Sequence, residues 1–107
     1  MDADLFCLHS ELCKTLANEK RQMILAALRD GERYVSELSE RTGIAQANLS
    51  QHLATMRAHD VVRSRREGRS ILYSIANTKL IQAFDLITEV MQESMERRSS
   101  TADAPGA

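Results

Sequence analysis

VSELSERTGIAQANLSQHLATMRAHDVVRSRREGRSILYSI, residues 35–75, reads as two helices and a hairpin. Ser36 is a good cap for a helix over Glu37–Thr42, and Gly43 supplies the left-handed residue that ends it. A second helix from about Ala45 to His59 keeps Leu49, Leu53 and Met56 on one stripe. Two helices joined by Thr42-Gly43-Ile44 predict a helix-turn-helix. Beyond them, Val61-Val62 and the run Ile71 to Ile75 are β-rich and flank the polar turn Arg66-Glu67-Gly68-Arg69, the pattern of a hairpin. A helix-turn-helix that runs straight into a charged hairpin is a winged helix, mainly α with a β-hairpin wing.

Working outward toward the N-terminus, Leu5, Leu8, Leu12 and Leu16 recur every three or four residues and predict a first helix ending near Ala17. Asn18 caps a second, which turns Met23, Ile24, Leu25 and Leu28 inward and closes at Asp30-Gly31, before an extended piece from Glu32 to Val35. In the other direction, a last helix from about Thr78 to Arg97 sets Leu80, Phe84, Ile87 and Met91 in a narrow seam of the kind that pairs with another helix. From Ser99 the tail SSTADAPGA is polar and is expected to be unstructured. The expected division is one domain over residues 1–97 and a tail over 98–107.

Composition agrees with a small helical domain. The 107 residues are 43% hydrophobic and 4% aromatic, with one proline, Pro105, so helices run without interruption almost to the end. The opening MDADLFCLHSELCK is acidic and amphipathic, unlike a signal peptide, and no apolar run approaches membrane-spanning length. With two cysteines and no export signal, a reducing cytoplasm and free thiols are expected. The formal net charge is −1, but residues 57–76 carry five arginines against Asp60 and Glu67, a local excess of three positive charges. A nucleic-acid footprint needs such a patch and not a basic whole.

At about 100° per residue, the side of the 45–59 helix opposite its core stripe carries Ala47, Gln51, Ala54 and Ala58, flanked by Asn48 and Ser50. Small side chains allow close approach to a major groove, where Gln51 or Asn48 can bond an adenine edge. Gln46, near the helix start, can reach a base edge or a phosphate, since the first turn also presents free N–H groups. The bland alternative is a solvent face with alanines for helix propensity. His52 falls between core and groove, either satisfied by a neighbouring backbone group or touching DNA. Arg63, Arg65, Arg66 and Arg69 reach from the hairpin toward phosphates or a minor groove, or else charge an edge strand against pairing.

Leu16-Ala-Asn-Glu-Lys-Arg-Gln-Met-Ile-Leu, Val35-Ser-Glu-Leu, the Ser50-Gln51-His52-Leu53 core and the Arg65-Arg-Glu-Gly-Arg wing closely resemble the ArsR/SmtB family of transcriptional repressors. The resemblance covers roughly residues 10–92. It implies a homodimer, with Leu5, Leu8 and Leu12 of the first helix and Leu80, Phe84, Ile87 and Met91 of the last at the interface. It also implies repression at an inverted-repeat operator in double-stranded DNA until an inducer releases the protein.

Family members that sense arsenic or cadmium carry a Cys-x-Cys type pair where this chain has Tyr34 and Ser36. The zinc-sensing pattern on the last helix is missing as well, because residues 78–97 hold no histidine. Thiol-redox relatives have cysteines near positions occupied here by Ala26 and Gln92. What remains for a sensor is Cys7, His9 and Cys13. His9 and Cys13 stand four apart and share a helix face, a spacing that can chelate a soft metal, whereas Cys7 lies about 240° round the helix from Cys13. A soft metal or arsenite at Cys7 and Cys13 therefore needs a helix that starts after Cys7 with the N-terminus folded back, or partners from the other subunit. Metal, redox and inert-thiol readings all stay open.

No Ser-His-Asp arrangement, Gly-rich phosphate loop or clustered carboxylate pair points to an enzyme. A competing reading is a winged-helix module that docks a protein partner, as an antitoxin or adaptor.

Overall fold

A computed structural model describes residues 2–103. The helices are α1 (Ala3–Leu16), α2 (Glu19–Ala27), α3 (Val35–Thr42), α4 (Gln46–Ala58) and α5 (Lys79–Asp103). The strands are β1 (Arg33–Tyr34), β2 (Val62–Glu67) and β3 (Ser70–Ile75), in the antiparallel order β1-β3-β2. The expected hairpin is therefore the larger part of a three-stranded sheet. The extended piece after Gly31 adds the third strand by pairing Arg33 with Tyr73 and Tyr34 with Leu72.

Local chemistry sets the corners. Asn18 caps α2 by accepting from the backbone N–H of Arg21, 3.2 Å away. The first turn of α3 begins at Val35, ahead of the expected Ser36 cap, because the Glu37 carboxylate reaches back 3.0 Å to the N–H of Tyr34. At the other end Gly43 takes φ +74°, and its N–H bonds Ser39 O at 2.9 Å. Ser39 Oγ then donates to Ile44 O at 2.6 Å, so the turn between α3 and α4 is stitched from both sides.

The junction of α4 with the sheet is a Schellman motif. Val61 N–H donates to Met56 O at 2.8 Å and Asp60 N–H to Arg57 O at 3.1 Å. Asp60 occupies the left-handed position, φ +57°, one of the few side chains besides glycine that tolerate it. Val61 and Met56, which accompany the motif, are both fully buried. One short stretch thus ends the helix, starts the wing and seals the core.

That core is Ile24, Leu25 and Leu28 of α2 and its cap, Leu38, Ile44, the α4 stripe Leu49, Leu53 and Met56, and Val61 with Val62. Burying such side chains contributes about 1.5–3 kcal/mol each. Leu12, Leu16, Leu80, Ile81 and Phe84 pack on its edge, which attaches α1 and the start of α5 to the body. The Arg29–Asp85 ion pair adds a second tie between the end of α2 and α5.

Two boundaries differ from expectation. The helical part of α2 closes at Ala27, and the chain reaches Gly31 through turn bonds such as Gly31 N–H to Leu28 O at 3.2 Å. At the other end α5 continues through Ser99 to Asp103, where an unstructured tail was expected from residue 98. Ala102 favours a helix, Ser, Thr and Asp can extend one already nucleated, and Pro105 lies beyond them. Residues 104–107 of the expected tail lie outside the described residues.

Candidate nucleic-acid interface

The residues expected to meet DNA on α4 emerge together. Gln46, Ala47, Asn48, Ser50 and Gln51 are all exposed, while Leu49 between them is fully buried. Ala45 precedes the helix with φ −60° and ψ 142° and makes no side-chain cap bond, so the first N–H groups of α4 have no side-chain acceptor from that position. The helix start therefore presents donors and two amide side chains to whatever lies in front of it.

His52 belongs elsewhere. Its half-buried ring accepts a hydrogen bond at Nδ1 from Arg21 Nε of α2, 3.1 Å away, so its partner is a side chain and not the expected backbone group. Burial, then the charges of Arg21 and Lys20, holds its pKa below the ordinary 6.5. A ring that accepts at Nδ1 carries its proton on Nε2.

Strand alternation divides the four wing arginines. Glu67 pairs with Ser70 across a two-residue turn, Gly68-Arg69, tighter than the expected four-residue turn. Gly68 at its first central position has φ +61°, as type II′ turns require. Val62, Ser64 and Arg66 share one face of β2, and Arg63, Arg65 and Glu67 share the other. The first face looks toward α4, because Arg57 Nη1 donates to Ser64 Oγ at 3.1 Å. Arg66 thus projects on the side of the sheet that faces α4, and Arg69 stands exposed at the tip.

Arg65 departs from its expected role. Its guanidinium is held by Glu32 at 2.8 Å and by Glu67, and these bonds raise its pKa. The pair of carboxylates compensates its charge and braces the wing against the segment before β1. Sequence reading missed this because Glu32 lies 33 residues away. It also missed Arg57, exposed in the last turn of α4 and turned toward the wing, although its position about 80° from Leu49 on the helical wheel was there to be read.

A second surface is apolar. On α1, Leu5, Phe6 and Leu8 are 47%, 59% and 65% exposed, and on α5 so are Leu86, Ile87, Val90, Met91 and Met95 at 58% or more. Of the expected seam, Leu5, Leu8, Ile87 and Met91 lie on this surface. Leu12, Leu80 and Phe84 differ, being half-buried against the core of their own chain, because the first turns of α5 and the last of α1 are needed to close it. Cys7 and Cys13 are free and exposed, and Cys13 Sγ lies 3.6 Å from His9 Nδ1. No group of three or more potential metal-binding side chains occurs among the described residues.

Comparison with known proteins agrees with this arrangement. Residues 18–64, the span from the start of α2 into β2, match the family described as bacterial regulatory protein, arsR family. The transcriptional activator HlyU of Vibrio cholerae is 40% identical over 76 residues, covering 71% of this chain and 70% of that protein. The chain belongs to the ArsR family. A second relative, the HTH-type transcriptional regulator Rv0081 of Mycobacterium tuberculosis, is 36% identical over 95 residues, which cover 88% of this chain and 83% of that protein. Its crystal structure superimposes with a TM-score of 0.83 at 33% identity, covering 92% of this chain and 99% of that one.

The homodimeric winged helix-turn-helix DNA-binding domain of Mb0332 from Mycobacterium bovis gives a TM-score of 0.82 at 33% identity, covering 89% and 88% of the two chains. The winged-helix architecture and the role of transcriptional regulator follow for this ArsR-family chain, in preference to a protein-docking module. No helix among the described residues is long and apolar enough to cross a membrane.

Proposed function

We propose that two copies of this chain join through α1 and α5 and repress transcription by binding an imperfect inverted repeat in duplex DNA. The observation that carries the reading is the outward face of α4, with Gln46, Asn48, Ser50 and Gln51 exposed beside a hairpin tipped by Arg69. Each α4 enters a major groove, where the amides read base edges, and each wing sets Arg66 and Arg69 on the backbone or the adjacent minor groove. A two-fold dimer sets the recognition helices about 34 Å apart, one turn of DNA. The exposed apolar side chains of α1 and α5 support the dimer, since monomers rarely leave so many large apolar side chains in water.

Repression is the sense that fits a dimer lying across a promoter, where it would compete with polymerase. HlyU, described as an activator, shows that relatives also work in the other sense. Footprinting the upstream region of the chain's own gene, with transcription from that promoter measured in the same samples, tests both parts. A protected inverted repeat with reduced transcript supports the proposal, and protection with increased transcript replaces repression by activation. For release, His9 and Cys13 offer one soft-ligand pair per chain, and a soft metal or arsenite there would need further ligands from the second copy. Titration of the complex with cadmium or arsenite, with wild type and Cys13→Ser compared, tests that part: equal response discards it.

A further inference from the structure

Arg21 is an internal residue of α2 that reaches two other helices at once. Its Nε donates to Nδ1 of His52, in the middle of α4, at 3.1 Å, and its Nη1 donates to the carbonyl of Thr15, in the last turn of α1, at 3.3 Å. Arg21 and His52 are both half-buried, and the Thr15 residue is 3% exposed. Gln22, the next residue, donates in the same way to Leu16 O at 2.8 Å. The end of α1, the helix whose first half carries the exposed Leu5, Phe6 and Leu8, is therefore wired through one planar guanidinium to the helix that carries Gln51 beside His52.

We propose that Arg21 is the positioning residue of the recognition helix: through Nδ1 of neutral His52 it fixes α4 on α1, so that protonation of His52 releases α4 and weakens DNA binding. This inference rests on the DNA-binding reading above. An imidazolium has no lone pair at Nδ1, so the proton that charges the ring also converts the acceptor into a donor facing a donor.

The surroundings give that proton no compensation. From α2, the charges that bear on the ring are Arg21 and Lys20, both cationic. From α1 comes only the Thr15 carbonyl, already engaged by Arg21, while Glu11 of α1 is turned to His59, 3.9 Å from its Nε2. No charge of α3 or β2 shifts the ring, and on α4 itself Arg57 is directed to Ser64 and His59 to Thr55 O and Glu11. His52 and His59 are seven residues apart on one flank of α4, and only the first faces cations. Acidification thus loosens the end of α4 nearer the reading side chains while leaving the His59–Glu11 contact at its far end.

The test uses the full chain and a duplex that the wild-type protein has selected from a random-sequence library. Binding is measured by fluorescence anisotropy between pH 7.5 and 5.5 for wild type, Arg21→Met, His52→Ala and His52→Asn, with thermal unfolding confirming that each variant is folded. Asn places Oδ1 where His has Nδ1, accepts the same bond and does not titrate. At pH 7.5, Arg21→Met and His52→Ala are expected to bind about five- to ten-fold more weakly, the size of one ordinary intramolecular hydrogen bond. His52→Asn recovers part of the affinity lost in His52→Ala.

The wild-type affinity falls toward pH 5.5, and the fall is absent in His52→Asn. The proposal is overturned if His52→Asn follows the wild-type pH profile, or if folded Arg21→Met binds as wild type does. Should the wild type select no sequence at all, the DNA-binding reading fails and this inference with it; a selected duplex with unresponsive variants sinks the inference alone. If Arg21→Met does not fold, the paired His52 variants decide the matter by their pH profiles.

Discussion

Two exposed surfaces of this molecule have opposite chemistry. The outward side of α4 shows water short amides, a hydroxyl and alanines, whereas α1 and α5 show it leucine, phenylalanine, isoleucine, valine and methionine. Both surfaces ride on helices whose inner stripes close the same core, so burial within the chain does not explain the difference. What differs is the medium each surface is built to meet. A polar face with small side chains gives up few contacts when it leaves water for a hydrated, charged groove, and an apolar face gains by leaving water for another apolar face. On the proposed function the two sites are complementary: one surface doubles the molecule so that the other can act twice.

Breaking the apolar surface should have the largest effect. Ile87→Glu with Met91→Glu places charge at the middle of the α5 patch, and sedimentation velocity is expected to show a monomer. Operator affinity then falls by about 10²–10⁴-fold, the usual worth of making a second contact intramolecular. A monomeric variant that binds as tightly as wild type would separate the two surfaces and undo the comparison.

Within the polar surface, Arg69 and Arg65 are set against each other. Arg69→Ala should weaken binding to every sequence and lower the slope of log affinity against log salt by about one unit. Arg65→Ala should change that slope much less, because Glu32 and Glu67 already neutralise the guanidinium. Equal slopes for the two variants would show that the ion pairs open on DNA.

A third contrast concerns pH. Since the folded chain holds His52 below the ordinary 6.5, the unfolded chain binds the proton more readily, and stability is present above that value and lost as pH falls below it. Chemical denaturation at pH 7.5 and 5.5 should show this loss in wild type and a smaller one in His52→Asn. The smallest effect is expected at Ala45: serine there supplies the missing cap and raises stability by about 1 kcal/mol. Hydrogen exchange at Ala47 and Asn48 would show the gain locally, and unchanged protection would mean that another group already satisfies those N–H donors.

The polar surface was the more legible of the two in the sequence. Leu49, Leu53 and Met56 repeat at helical spacing, Gly43 punctuates the turn and β-rich runs bracket Gly68, so helix, turn and hairpin follow from neighbours a few residues apart. Contacts over long separations were not legible. Arg65 meets Glu32, and Arg21 meets His52, across 33 and 31 residues, and nothing in the sequence around either arginine marks its partner. The α5 seam was half-read for a related reason: a stripe of apolar residues does not say which of its members, here Leu80 and Phe84, its own chain will cover. Residues such as Phe6, Leu86 and Val90 widen the patch beyond the stripe that periodicity picks out.

The central claim is tested most directly by titrating the chain onto its own upstream duplex and onto a random duplex at several salt concentrations, alongside the double variant Gln51→Ala with Arg69→Ala. The account predicts binding to the upstream duplex at least about 10³-fold tighter than to random DNA, and loss of that preference in the double variant. Wild-type binding to the upstream duplex no tighter than to random DNA would contradict it.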